Sequence, residues 1–199
     1  MVGILSLQTG RKVMNLISRV LQLTLALILC IPVVVAADQS DQRLDGLFQT
    51  LQDSQDADEL IEVEGSIWEI WYQSGVAKID VMMVEAGELV RSGELATAEA
   101  IYASIIEQAP SFSEGWNRRA TVRFYQRDYD GSLEDIEQTL KLEPRHFGAI
   151  WGLGMIMGVQ QDYQRAIIAF EKLLEIKPNS RDARPRIELL KQELARQSV

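Results

Sequence analysis

Three prolines, Pro110, Pro144 and Pro178, recur at intervals of 34 residues, and each closes a similar phrase: IIEQAP, LKLEP and LEIKP. A fixed period of this length belongs to small supersecondary units that stack because none can bury its apolar face alone. Counting back from the prolines marks repeats at 79–112, 113–146 and 147–180. Twelve residues before each proline stand Ala98, Ser132 and Ala166; eight before stand Tyr102, Ile136 and Phe170; five before stand Ile105, Thr139 and Leu173. A small side chain at one helix position lets a partner helix come close, and a large one a turn later fills the space beside it. The triplets Gly93-Glu94-Leu95, Arg127-Asp128-Tyr129 and Gln161-Asp162-Tyr163 fall midway through the repeats, each with an acidic residue placed to cap the helix that follows.

With Trp116, Ala120, Tyr129, Ser132, Ile136 and Pro144 in the second unit, and Leu153, Gly154, Tyr163, Ala166, Phe170 and Pro178 in the third, the chain resembles the tetratricopeptide repeat family. The first unit diverges, with Met82 at the usual aromatic position and Glu85-Ala86 where Leu-Gly is common. The resemblance implies an all-α fold, a right-handed α-α superhelix of three helix pairs. The phrases EGWNRRA and LEPRHFGA further resemble a group of small exported bacterial members with no assigned chemistry.

The flanks fit the same architecture. Residues 41–53 place Leu44, Leu47, Phe48 and Leu51 at helical spacing, and 56–73 place Leu60, Ile61, Ile67, Trp68 and Trp71 on one face. Within 38–78 they predict a helical hairpin covering the open N-terminal end of the stack. Over 181–199, Asp182 can cap a helix, Pro185 is tolerated in its first turn, and Ile187, Leu190 and Leu194 form the stripe of a C-terminal capping helix.

Residues 1–37 carry Arg11, Lys12 and Arg19, no acid, and then an apolar run from Val20 to Val35. That order predicts an export signal, cleaved after Ala37, with Met14 as an alternative start that would make it more compact. The expected location is the periplasm, or the inner membrane if the segment is retained as an anchor. Cys30 falls inside the run, so the mature chain has no cysteine, and no disulfide or thiol chemistry. Loss of the segment takes the formal charge from −9 to −12, which disfavours nucleic acid and anionic lipid as partners.

No residue set argues for a cofactor or a metal. His146 is the single histidine, two residues after Pro144, and reads as a surface or turn residue. Gly152-Leu153-Gly154 lies inside a helix without a preceding strand, so it is a packing element and not a phosphate loop. Asp128-Tyr129-Asp130-Gly131 lacks the full ligand spacing of a calcium loop. Glu134, Asp135 and Glu137 read as a solvated acidic face. A cell-wall hydrolase using Glu134 and Asp135 near Trp151 is the remote alternative, since adjacent helical carboxylates diverge by about 100°. Trp68 and Trp116 are assigned to the core.

The resemblance implies that the first helix of each repeat lines a concave groove. Carried over, the groove positions are Asp80, Met83, Gly87, Val90 and Arg91; Glu114, Asn117, Thr121, Phe124 and Tyr125; Gly148, Trp151, Met155, Gly158 and Val159. Members that clamp a terminal carboxylate use Lys and Asn there. Here Asn117 is present, but Met83, Gly87, Trp151 and Met155 replace the partners. The expected ligand is therefore a protein or peptide with apolar anchors, held by Met83, Asn117, Thr121, Phe124, Tyr125, Trp151 and Met155 without chemistry.

Overall fold

The computed structural model describes residues 38–197. The expected leader, with Met14, Cys30 and the cleavage point after Ala37, lies outside them. Nine helices occur among the described residues: α1 Arg43–Asp53, α2 Ala57–Tyr72, α3 Ala77–Ser92, α4 Leu95–Gln108, α5 Ser113–Gln126, α6 Tyr129–Leu142, α7 Phe147–Val159, α8 Tyr163–Ile176 and α9 Ala183–Gln197. The pairs α3–α4, α5–α6 and α7–α8 are the three repeats, α1–α2 is the hairpin, and α9 packs on α8.

Each repeat turns on a residue in the left-handed region: Gly93 at φ 86°, Arg127 at φ 66° and Gln161 at φ 61°. They are 34 residues apart, so the backbone repeats even where glycine does not. Asp128 Oδ1 accepts from Gly131 N at 3.1 Å, and Asp162 Oδ1 from Arg165 N at 3.1 Å, which caps α6 and α8. Glu94 makes no such cap on α4. One methylene longer, it accepts from Ser92 Oγ at 3.1 Å instead.

The register positions named above form the seams. Ala98, Ser132 and Ala166 are buried, as are Tyr102, Ile136 and Phe170. Ser132 Oγ donates to the Ala120 carbonyl at 2.8 Å, so this hydroxyl is satisfied inside the α5–α6 contact. At Gly154 a methyl group would lie 2.7 Å from the Phe170 ring, which is why this close-packing position, filled by alanine in the other repeats, is glycine here. Trp116 is only partly buried; its Nε1 donates to the Pro110 carbonyl at 2.9 Å. Trp68 is also partly buried, and Trp71 is the tryptophan enclosed by the core.

The hairpin does not cover the N-terminal end of the stack. It lies along the edge where one repeat passes to the next, with α1 against α8 and α2 against α5. Asp45 pairs with Arg145 at 2.7 Å, Gln52 Nε2 donates to the Glu175 carbonyl at 3.2 Å, and Asn179 Nδ2 donates to the Ser54 carbonyl at 2.8 Å. Glu64 pairs with Lys177, and Gln39 bonds Ser111 and Ser113. The physical reason is aromatic: Trp71 stacks on His146 with centroids 4.1 Å apart and planes within 10°, and Trp68 and Trp71 both meet Phe147. No comparable aromatic surface exists on α3, where Val81 and Val84 stay exposed.

Candidate functional site

Helix α7, FGAIWGLGMIMGV, contains no charged residue. A helix apolar all round must be covered on most sides. Helices α6, α8 and α5 cover it, and what remains faces α5 across a furrow. There a cavity of about 320 Å³ is lined by Asn117, Thr121, Phe124 and Tyr125 from α5 and by Trp151 and Met155 from α7, with Ala120, Ile136 and Gly152 in its wall. Six of the seven expected groove residues are thus brought together. None of the lining residues is charged.

The wall is held by packing that the groove residues share with the core. Trp151 meets Phe170 edge-on at 5.0 Å, and the Arg186 guanidinium lies 6.0 Å from its ring. Phe124 contacts Tyr125 and Tyr129 at 6.1 and 5.7 Å. Thr121 Oγ1 is already satisfied by the Asn117 carbonyl at 3.0 Å. Tyr125, 57% exposed, stands at the mouth.

Met83 is separate. It is buried in the first repeat with Ala98 and Tyr102 and touches a second cavity of about 370 Å³ that also reaches Thr121. Burial pushes the Tyr102 hydroxyl there up to about 12. The groove continues from one cavity to the other through Thr121, but Met83 contributes a floor and not an exposed anchor.

Two expectations fail at the groove's lower edge. Glu114 is fully buried, not on the wall, and His146 is fully buried, not on the surface. His146 does sit in the turn, as the N-cap of α7: its Nδ1 accepts from Ala149 N at 3.2 Å. That bond leaves the proton on Nε2, which donates to Glu114 Oε2 at 3.0 Å. Asn117 Nδ2 donates to the same oxygen at 2.8 Å, and Arg118 Nε to Oε1 at 2.5 Å. Burial pushes the Glu114 carboxyl up, but the Arg118 charge and the bonds from His146 and Arg118 outweigh it and hold the group below its ordinary value of 4.5. Arg118 in turn lies 4.4 Å from the Tyr72 ring and 5.7 Å from that of Trp68. The hairpin is what buries this cluster, and no motif announced it. The available signal was an aromatic face on 56–73 with no assigned partner and a histidine at the matching repeat edge.

The acidic face also divides. Asp135 is buried and receives Arg119 through two bonds of 2.7 and 2.9 Å and Arg123 at 3.1 Å, because it turns inward toward α5. Glu134 remains in solvent. Two carboxylates in such different settings, one neutralised by two guanidiniums, do not make a hydrolytic pair.

Comparison with known proteins agrees with this architecture. The family model described as tetratricopeptide repeat matches residues 117–181. A TPR repeat-containing protein of Rhizobium etli is 34% identical over 160 residues, 80% of this chain and 78% of that protein. Among solved structures, the first TPR of Spaghetti (RPAP3) bound to an HSP90 peptide aligns with TM-score 0.57 and 20% identity, over 59% of this chain and 94% of that one. The TPR2B domain of yeast Sti1, in a complex with pHsp70, aligns with TM-score 0.54 and 17% identity, over 61% and 99%. Three helix pairs on a 34-residue period, with a close relative spanning hairpin and repeats alike, establish that the chain belongs to the tetratricopeptide repeat family.

Proposed function

We propose that the protein is a non-catalytic interaction module that binds a peptide or helix through apolar side chains inserted between α5 and α7. The observation that carries this is the uncharged cavity formed by Asn117, Thr121, Phe124, Tyr125, Trp151 and Met155. Aromatic and thioether side chains around a pre-formed hollow offer rigid anchors and an adaptable surface, the chemistry of interface hot spots. Solved neighbours of the same fold hold HSP90 or Hsp70 peptides. A ligand seated in the α5–α7 cavity differs in kind, since no cation lines it; the arginines nearest to it, Arg91 and Arg118, line the second cavity instead. Affinity then comes from apolar burial, with weak dependence on salt.

The reading extends to location. The basic residues and apolar run of 1–37 support a reading in which the segment directs export and is cleaved, with the module working in the periplasm. Intact mass of protein recovered from its host decides it: loss of residues 1–37 is the expected result, and retention would make the chain a tethered assembly factor.

The groove is tested by selecting peptides from a random library on the full-length chain and measuring affinity by Trp fluorescence. Peptides enriched in Leu, Met, Phe and Trp are expected, with binding weakened about tenfold or more by Met155→Glu and by Tyr125→Ala. Selection of acidic C-termini, or binding indifferent to both substitutions, would overturn the reading.

A further inference from the structure

The α5–α7 cavity has one polar side chain set deep in its wall. Asn117 lines it and is 6% exposed, whereas Tyr125 at the mouth is 57% exposed. The Asn117 amide is not free to choose which end it presents. Glu114, held ionised below its ordinary range, can only accept, and it takes Nδ2 at 2.8 Å. That leaves Oδ1, which has no hydrogen-bond partner among the described residues. An enclosed oxygen in that state would be a buried orphan, and the only such atom among the described residues is Trp71 Nε1, so the Asn117 oxygen is open to the cavity it lines. Neighbouring hydroxyls do not supply it with a donor, because Thr121 donates to the Asn117 carbonyl at 3.0 Å and Ser132 to that of Ala120 at 2.8 Å.

We propose, resting on the groove reading above, that Glu114 makes Asn117 a fixed acceptor and that the cavity thereby selects a protein segment anchored by a tryptophan, an apolar body with one N–H. An oxygen this deep is reached by a side chain that enters the cavity, not by a backbone lying across its mouth. A leucine, methionine or phenylalanine anchor fills the same space but strips water from Oδ1 without replacing its hydrogen bond, which is the way a polar site rejects an apolar isostere. Lysine and arginine carry donors, but their charge would enter a cavity with no carboxylate to meet it. The indole N–H donates and does not accept, so it matches Oδ1 and mismatches an amide turned the other way. Glu114 is thus a positioning residue that acts through Asn117.

Calorimetric titration of the full-length chain with two forms of one groove-selected peptide tests it, the anchor being tryptophan in one and benzothienylalanine, which has sulfur in place of the N–H, in the other. The tryptophan form is expected to bind about tenfold more tightly. Asn117→Leu removes the acceptor and should bring the ratio to about one. Glu114→Gln, whose amide can donate as well as accept, frees Asn117 to turn over and should lower the ratio too, whereas a merely structural role for Glu114 would weaken both forms alike. If circular dichroism shows that Glu114→Gln does not fold, the Asn117→Leu ratio decides. Equal binding of the two forms to the wild-type chain, a tryptophan preference that survives Asn117→Leu, or an unchanged ratio in folded Glu114→Gln would overturn the proposal and leave the groove standing. Binding of both forms unaltered by Met155→Glu would remove the groove reading, and the proposal with it.

Discussion

Glu114 carries more of the structure than its place in the repeat suggests. Its carboxylate is the acceptor for His146, Asn117 and Arg118, and so ties α5 to the N-cap of α7 beneath the hairpin. Because it titrates below 4.5 in the folded chain, its stabilisation is fully present above the unfolded value and is lost as pH falls through the lower, folded one. Glu114→Gln should cost about 2–3 kcal/mol near neutral pH, by leaving the half-buried Arg118 without its charge partner. It should also flatten the acid limb of stability, measured by urea unfolding from pH 7 to pH 3; a variant with the wild-type pH profile would contradict this. At Arg127, where an arginine holds φ at 66°, replacement by glycine should stabilise by about 0.5–1 kcal/mol, read as a shift of the urea midpoint. The seam residues Ala98, Ser132 and Gly154 were legible because their size is dictated by one neighbouring helix at a fixed register. Glu114 and His146 were not, because their setting depends on a segment far away in sequence.

At the scale of elements, periodicity located each repeat helix to within a few residues, since caps and turns act locally. It misplaced the hairpin. The aromatic stripe of 56–73 shows which face of α2 is buried but not which surface receives it, and the choice fell to the partner able to stack on Trp71. That indole N–H finds no acceptor among the described residues, a cost that stacking and burial offset. Trp71→Ala should therefore destabilise by about 3–5 kcal/mol and release the hairpin. Limited proteolysis should then cleave near residues 54–56 or 73–76 well before the repeats are cut. Equal protection of hairpin and repeats in the variant would mean that the aromatic contact is not what seats α2.

Across the whole molecule the core has two parts. The larger unites the hairpin, the second and third repeats and α9; the smaller is built from Ile79, Met83, Ala98, Tyr102, Ile105 and Val122 around the first repeat. In a linear stack, local stability follows nearest-neighbour contacts, so the divergent first repeat should open first. Native-state hydrogen exchange should show amides of α3 and α4 exchanging at a lower free energy than those of α7 and α8. The groove lies on the stable side of that boundary, on helices fixed from both faces, so it is pre-formed for a ligand. Its central claim is best tested by titrating the isotope-labelled chain with a peptide bearing apolar anchors and following amide and indole signals by NMR. The account predicts shifts at Thr121, Tyr125, Trp151 and Met155 with Trp71 unmoved; shifts confined to the hairpin or to α9 would contradict it.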